Sequence, residues 1–300
     1  MGAVIVDWMR SPFDRAHKGA LKTIRPDEMG GQVARELISR SKITPTSFDD
    51  VLVGCAYPEG EQGYNLGRMI AFLAGLPDTI PGATFNRLCG SSMEAIHVAA
   101  ANIESGWGDC FLVGGIESMS RVKRRGFNWS PSPSLEENYP EAYINMGLTA
   151  ENVAEKYSID RLDQDRFALL SHEKSSLALK NGNFKSEICS VFSEEFFFQE
   201  EDGIRHDSNL ESIGKLNPVF KEGGSVTAAT SSPLTDGAVF AIICSEEFAK
   251  QNIFTDIIEV TISNLAAVPS IVFGILGLAV FINYMHLPQS TPIEIGRAHV

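Results

Sequence analysis

The chain has 300 residues, of which 44% are hydrophobic and 21% charged, as in a globular protein and unlike a disordered or fibrous one. Its formal net charge of −13 argues against a nucleic-acid-binding protein, which needs a basic face, and against general attraction to anionic membranes. The five cysteines are scattered and contain no C-x-x-C pair, so we expect neither a metal site nor a disulfide framework.

The first part of the chain alternates apolar runs with helical patterns. The runs predicted to be strands are residues 3–8, 51–56, 84–88 and 110–113. The patterns predicted to be helices are residues 27–41, 65–73 and 93–105. Strands that alternate with helices predict an α/β layered fold with a buried sheet.

The pattern changes after residue 120. A basic run at 121–125 is followed by a loop rich in Pro, Ser and Asn at 129–140. Two helices are predicted at 149–157 and 163–181 and a strand at 191–199, and a close-packed Gly- and Ala-rich stretch covers 218–241. We therefore predict a helical insertion at residues 121–222 in a larger α/β domain formed by residues 1–120 and 223–268.

The two ends of the chain give no membrane signal. Residues 271–282 form an apolar run, but a membrane span needs roughly 20 apolar residues, and Asn283 and His286 come too early. We expect a short buried or interfacial helix there and no transmembrane span. The start of the chain lacks a basic segment followed by a long apolar run, so no signal peptide is predicted. A bacterial-type cytoplasmic location or an organelle matrix is expected.

Cys89 lies where a predicted strand ends and a helix begins. The unpaired N–H groups of a first helical turn and the helix dipole both favour the thiolate, which is the nucleophilic form. Gly90 allows a substrate close to the backbone, and Ser91 and Ser92 are predicted to cap the helix. The alternative is a small buried residue in a tight turn. A local base is missing, because His97 stands roughly 12 Å further along the helix.

The residues around Cys89, 86–92 (NRLCGSS), resemble the nucleophile motif of the thiolases. Four more stretches are similar to motifs of that family and stand in the family's order: residues 7–13 (DWMRSPF), 114–120 (GGIESMS), 145–154 (NMGLTAENVA) and 226–237 (VTAATSSPLTDG). The resemblance covers residues 1 to about 268. It implies a thiolase-like layered α-β-α N-terminal domain with a helical loop-domain insertion, and the family's C-terminal half is absent.

The resemblance also implies an activity and a set of site residues. Cys89 would be acylated by a 3-ketoacyl-CoA, releasing acetyl-CoA, and the acyl group would pass to a second CoA. Coenzyme A is then a substrate, and no cofactor is permanently bound. Met146 would lie beside the acyl chain, and Phe220, Ala228 and Ser232 would line the pantetheine channel. Without the motifs, Met146 and Phe220 would be interpreted as core residues and Ser232 as a turn residue.

Three family motifs have no counterpart in this sequence. Thiolases carry an Asn-Glu-Ala-Phe stretch, a Gly-His-Pro and a late Cys-x-Gly, whereas here His286 precedes Leu287 and the last cysteine is Cys244. We therefore predict a truncated, catalytically incomplete form. Residues 269–300 are interpreted as a non-family tail that is not native coding sequence. The basic run at 121–125 is either a contact for CoA phosphates or a solvated loop face.

Several functions stay open at this point. The wording of residues 231–237 (SSPLTDG) favours a thiolase of fatty-acid β-oxidation over a biosynthetic acetoacetyl-CoA thiolase. A decarboxylating condensing enzyme of the same superfamily is disfavoured by residues 145–154. A non-catalytic thiolase-like protein that binds acyl-CoA or lipid agrees with the missing motifs. The resemblance further implies a homo-oligomer in the full-length protein and a β-oxidation multienzyme as a partner.

Overall fold

The computed structural model describes residues 2–193 and 197–252. These residues form two compact units, the first made of residues 2–128, 184–193, 197–203 and 234–252, and the second of residues 129–183 and 204–233. The predicted insertion at 121–222 stays a prediction, because compactness in space does not test where one domain was inserted into another. The tail at 269–300 and its apolar run lie outside the described residues.

The first unit is built on a six-stranded sheet. Its strands are Ala3–Arg10 (β1), Asp14–Arg15 (β2), Asp50–Gly54 (β3), Gly82–Phe85 (β4), Cys110–Ser118 (β5) and Thr235–Ser245, which we number β8. A separate two-stranded ladder, Val191–Phe192 (β6) and Phe197–Phe198 (β7), belongs to the same unit. The order in the large sheet is β1-β8-β5-β3-β4, with β2 paired to β8. Strands β3, β4 and β5 are parallel, and β8 runs antiparallel to both of its long neighbours.

Helices cover both faces of this sheet. Helices α1 (Pro26–Ser41) and α2 (Leu66–Leu73) share one apolar cluster with Val51, Val53 and Phe240. Helix α3 (Ser91–Ser105) shares the other cluster with Leu52 and Phe111. Successive residues of β3 therefore point to opposite faces, as the strand period of two requires. The predicted α/β layered fold is confirmed.

Local sequence signals set the ends of these helices. Pro26 occupies the first turn of α1, where its missing N–H costs nothing, and Lys42 ends that helix in the left-handed region. Asn65 caps α2 by accepting a hydrogen bond from the Arg68 N–H. The first unit also contains the short helix Glu246–Asn252 (α8) and the 3-10 helices Ala20–Thr23, Pro45–Ser47 and Gly60–Gln62.

The second unit is helical. It contains Pro133–Asn138 (α4), Met146–Lys156 (α5), Arg161–Lys180 (α6) and Leu210–Gly214 (α7), with a 3-10 helix at Pro140–Tyr143. The stretch at 129–140 was predicted as loop only, and α4 forms there because Pro133 suits its first turn. No helix within residues 2–193 and 197–252 is long and apolar enough to span a membrane.

Candidate active site

Helix α3 begins directly on top of two glycines of the sheet. Gly54 of β3 pairs with Gly115 of β5. A Cβ placed on Gly54 would lie 2.3 Å from the Ser91 carbonyl carbon and from the Ser92 nitrogen, and one on Gly115 would lie 2.8 Å from Ser92 Cβ. Only glycine permits this approach, so these two positions bring the start of α3 to the carboxyl ends of the parallel strands.

The residues before α3 form a tight turn at 86–89. Strand β4 ends at Phe85 and not at residue 88 as predicted, because the Asn86 side chain redirects the backbone. Asn86 Nδ2 donates to the Ala56 carbonyl (3.0 Å), and Asn86 Oδ1 accepts from the Leu88 N–H (2.9 Å). Leu88 has φ of 47°, a left-handed conformation that costs a non-glycine residue roughly 1–2 kcal/mol. The side-chain bonds of Asn86 offset that cost and place Cys89 at the end of the turn.

The thiol of Cys89 is exposed, whereas Cys55, Cys110, Cys189 and Cys244 are buried. The exposure contradicts the alternative of a small buried residue in a tight turn. Burial raises the pKa of the Cys55 and Cys189 thiols, and the hydrogen bond with Cys244 together with burial raises the pKa of the Cys110 thiol. All three thiols are therefore kept protonated and unreactive. Cys89 is therefore the accessible thiol of the chain, and its role as a nucleophile stays a prediction.

The first turn of α3 is open. The predicted capping by Ser91 and Ser92 is wrong: Gly90 is the N-cap residue, and within the described residues no side chain caps this helix. Ser91 Oγ instead accepts from the Arg87 N–H (2.9 Å) and donates to the Leu88 carbonyl, so it stabilises the preceding turn. The Gly90 and Ser91 N–H groups donate to the Arg87 and Leu88 carbonyls (3.0 and 3.1 Å). Stabilisation of an oxyanion beside Cys89 therefore falls to the other N–H groups at this helix start.

A half-buried carboxyl, that of Glu117, is linked to this turn through Ala56 and was not singled out from the sequence. Glu117 of β5 accepts hydrogen bonds from the Ala56 N–H (2.7 Å) and from Gln62 Nε2 (2.7 Å). Burial raises the pKa of Glu117, and these hydrogen bonds act in the opposite direction. The only signal in the sequence was its place in the motif at 114–120. Its partners stand 55 to 61 residues away in the chain, so spacing alone could not reveal the cluster.

The other motif residues of the first unit serve its structure. Asp236 is fully buried and accepts hydrogen bonds from Ser118 Oγ (3.1 Å) and the Ser120 N–H (2.9 Å). The Phe13 ring lies so close to Gly237 that a Cβ there would be 1.9 Å from Cδ1. Three of the five motifs thus meet around the start of β8.

The four predicted substrate-binding residues all lie in the second unit. Met146 is the first residue of α5, and its side chain is 52% exposed. Phe220 is 37% exposed. Its ring packs on Gly147, the second residue of α5, because a Cβ on Gly147 would lie 2.1 Å from Phe220 Cδ1. Both side chains are outside the core, contrary to the interpretation as core residues. Ala228 and Ser232 are exposed in the segment between residue 226 and β8. The structure therefore places Phe220 against Gly147, the residue that follows Met146.

The basic run at 121–125 is partly neutralised. Arg121 Nη2 lies 2.6 Å from Glu61 Oε1, and this hydrogen bond raises the pKa of the guanidinium and lowers that of Glu61. A cavity of ≈ 370 Å³ beside this pair is lined by His17, Lys22, Glu61, Ser120 and Arg121. The pairing favours the structural alternative for Arg121 over a contact with CoA phosphates.

A second cavity lies within the second unit. It has a volume of ≈ 450 Å³ and is lined mainly by α6 and by Arg205, His206 and Ser208. His206 Nδ1 is 2.9 Å from Ser176 Oγ, and His172 Nδ1 accepts from the Arg205 N–H (3.3 Å). Burial, Arg205 and His206 together lower the pKa of His172. This cavity combines apolar walls with basic groups.

Comparison with known proteins agrees with the five motifs. The family model of the thiolase N-terminal domain matches residues 3–247. A 3-ketoacyl-CoA thiolase of Bacillus subtilis is 38% identical over an alignment of 286 residues that covers 91% of this chain and 73% of the relative. A 3-ketoacyl-CoA thiolase of Saccharophagus degradans is 38% identical over 90% of this chain and 71% of the relative. One of Acinetobacter baumannii is 42% identical over 82% of this chain and 65% of the relative.

Proposed function

Because the chain belongs to the thiolase family of acyltransferases, we propose that it serves fatty-acid β-oxidation as a 3-ketoacyl-CoA thiolase, an acyl-CoA:acetyl-CoA C-acyltransferase. The observation that carries this proposal is the exposed Cys89 thiol at the open first turn of α3. The relatives named as 3-ketoacyl-CoA thiolases support the same substrate class.

The proposed reaction has two steps. The Cys89 thiolate attacks the C3 carbonyl of a 3-ketoacyl-CoA, and first-turn N–H groups of α3 stabilise the oxyanion. The bond between C2 and C3 then breaks, the acyl group stays on Sγ, and the departing two-carbon carbanion takes up a proton to become acetyl-CoA. In the second step the thiolate of another CoA attacks the acyl thioester and releases Cys89. Coenzyme A enters only as a substrate.

Residues of the second unit are proposed to hold the substrate. Met146 would contact the acyl chain, and Phe220, Ala228 and Ser232 would line the pantetheine channel, with Ser232 bonding an amide. Their exposure and the packing of Phe220 on Gly147 support this assignment, because a substrate contact has to be accessible. The complete enzyme is proposed to be a homo-oligomer.

We propose that the 300-residue chain alone accepts an acyl group without turning over. Repeated turnover through both steps needs a base and an acid for fast proton transfer, and the family's Gly-His-Pro and Cys-x-Gly motifs do not occur in this sequence. A single acylation at a helix start needs the thiolate, the oxyanion donors and one proton for the departing carbanion, which water can supply slowly. Multiple turnovers by the chain alone would contradict this part of the proposal.

The test is peptide-resolved mass spectrometry after incubation with acetoacetyl-CoA and with a longer 3-ketoacyl-CoA. An acyl adduct on Cys89 that is absent from Cys89→Ser supports the proposal, and a preference for the longer substrate supports the degradative role over the biosynthetic one. Bound acyl-CoA without an adduct would indicate the non-catalytic binding protein instead. Absence of both binding and adduct would contradict the proposal.

A further inference from the structure

A chain of hydrogen bonds connects Glu117 with the residue that precedes the nucleophile. Glu117 Oε2 accepts from the Ala56 N–H at 2.7 Å, and the Ala56 carbonyl accepts from Asn86 Nδ2 at 3.0 Å. Asn86 Oδ1 then accepts from the Leu88 N–H at 2.9 Å. Leu88 is the left-handed residue before Cys89. We call Glu117, Ala56, Asn86 and Leu88 the Glu117 relay.

The neighbours of Glu117 favour its role as an acceptor. Its Oε1 accepts from Gln62 Nε2 at 2.7 Å, and Cys55 Sγ lies 3.7 Å from the same oxygen. Gln62 is fixed in this orientation because its Oε1 accepts from the Ser118 N–H at 2.6 Å. An ionised carboxylate only accepts hydrogen bonds, whereas a carboxamide would direct an NH₂ group at donors. The site is therefore built for a carboxylate.

We propose that Glu117 is a positioning residue for the nucleophile: through Ala56 and Asn86 it holds the turn in the conformation that places Cys89 at the open end of α3. The inference rests on the proposed function only in taking Cys89 as the nucleophile. A purely electrostatic role has the opposite sign, because a nearby negative charge disfavours a thiolate and its removal speeds the reaction of the thiol. The two roles are therefore distinguishable by the direction of one rate change.

The test is the rate at which iodoacetamide alkylates Cys89 at mildly alkaline pH, followed by peptide-resolved mass spectrometry. Glu117→Gln keeps the side-chain size, and we expect Cys89 to react about tenfold more slowly, a change of about 1.4 kcal/mol in the barrier. The four buried cysteines report on folding, because they stay unlabelled in a folded chain. Glu61→Gln is the matched control: its carboxylate binds Arg121 and Arg25 outside the relay, so the Cys89 rate should not change.

A second variant tests the coupling within the relay. Asn86→Ala breaks the middle of the hydrogen-bond chain, and we expect a similar slowdown. Residues of one network are not additive, so the double variant should react no more slowly than the slower single variant. If Glu117→Gln unfolds the chain and exposes the buried cysteines, the test of the relay is the alkylation rate of Cys89 in Asn86→Ala alone. An unchanged Cys89 rate in that variant would overturn the relay.

Three other results contradict the proposal. An unchanged or faster rate in a folded Glu117→Gln chain, a fully additive double variant, or an equal slowdown in Glu61→Gln would each overturn it. Alkylation requires no acyl-CoA, so this outcome is independent of whether the proposed acyl transfer takes place.

Discussion

The two units of this chain are stabilised by different interactions. The first unit buries large apolar side chains on both faces of its sheet: Met29, Leu37 and Phe240 on the face covered by α1 and α2, and Leu52, Ile103 and Phe111 on the face covered by α3. In residues 129–183 and 204–233, the buried hydrophobic side chains are Ala154, Ile213 and Val226. That second unit instead buries polar residues: Glu151, Asp165, Ser175 and Thr227.

Hydrogen bonds to carboxylates connect the segments of the second unit. Glu151 of α5 accepts from the Ser225 N–H (2.9 Å) and the Val226 N–H (2.8 Å). Asp165 holds Arg161, whose Nη2 donates to the Ile213 carbonyl (2.9 Å). The first unit thus depends on apolar burial, which has no preferred direction, whereas the second depends on a few directional hydrogen bonds.

The largest expected effect is the loss of a core side chain in the first unit. Leu37→Ala in α1 should lower the free energy of unfolding by about 2–5 kcal/mol, because it leaves a cavity between helix and sheet. Urea unfolding followed by circular dichroism measures it. The matched substitution in the second unit, Leu170→Ala in α6, removes an exposed side chain and should cost less than about 1 kcal/mol. Equal losses would contradict the comparison.

Next in size is the loss of a carboxylate in the second unit. Glu151→Gln should cost about 1–3 kcal/mol, since a charged acceptor of several backbone bonds is lost. Hydrogen exchange at Ser225 and Val226 should speed up, while α1 stays protected. Glu155→Gln, one turn along α5 on an exposed side chain, is the control. Unchanged exchange in Glu151→Gln would refute the role assigned to this carboxylate.

The same residue gives the second unit a pH dependence. Burial acts to raise the pKa of Glu151, but the hydrogen bonds from Ser225 and Val226 outweigh it, and the pKa lies below the usual 4.5. The stabilisation is therefore fully present above about pH 4.5 and is lost as the pH falls through the lowered pKa. An acid titration of hydrogen exchange should show this loss in the wild type and not in Glu151→Gln. Identical acid profiles would contradict the assignment.

A comparable effect is expected where α3 meets the sheet. Gly54→Ala should cost about 1–3 kcal/mol, because the new Cβ meets backbone atoms that cannot rotate away. Alkylation of Cys89 should change in the same variant, since the start of α3 is displaced. Gly203→Ala, where a Cβ meets nothing within 4 Å, should leave both the unfolding midpoint and the alkylation rate unchanged. A tolerated Gly54→Ala would argue against the close contact.

The smallest effect belongs to a surface ion pair of the second unit. Lys215→Gln removes the pair with Glu211 (2.6 Å), in which both side chains are largely exposed. Such pairs contribute about 0.3–0.5 kcal/mol on helices. Thermal unfolding should change little, and the change should vanish at high salt. A loss of stability in Lys215→Gln as large as that in Glu151→Gln would show that exposed charges stabilise the second unit as much as buried ones.

Elements with local signals were predictable from the sequence, whereas elements that depend on distant contacts were not. Helix α1 was predicted at 27–41 and is found at Pro26–Ser41, because Pro26 and an apolar stripe are local signals. Strand β8 was predicted only as part of a close-packed stretch, since Gly237 and Ala238 do not favour strands, although its partners β1 and β5 make it central. Strand propensity is a property of single residues, whereas the pairing of β8 depends on segments that are distant in the sequence.

The site was predictable to the extent that motifs identify it. Cys89 was found from its helix-start position and from its motif, and Met146 and Phe220 from family motifs alone. The cap was predicted wrongly because Ser91 Oγ bonds to Arg87 and Leu88, a preference that the turn geometry decides. Glu117 was missed because every bond it makes closes a long loop in the sequence.

The most direct test of the central claim is alkylation of the native chain with and without prior exposure to acetoacetyl-CoA, read peptide by peptide. We predict that Cys89 is the one cysteine of five that reacts quickly, and that prior exposure blocks it and leaves an acyl group on the same peptide. Unchanged labelling of Cys89, with no acyl group on it, would contradict its assignment as the acyl acceptor.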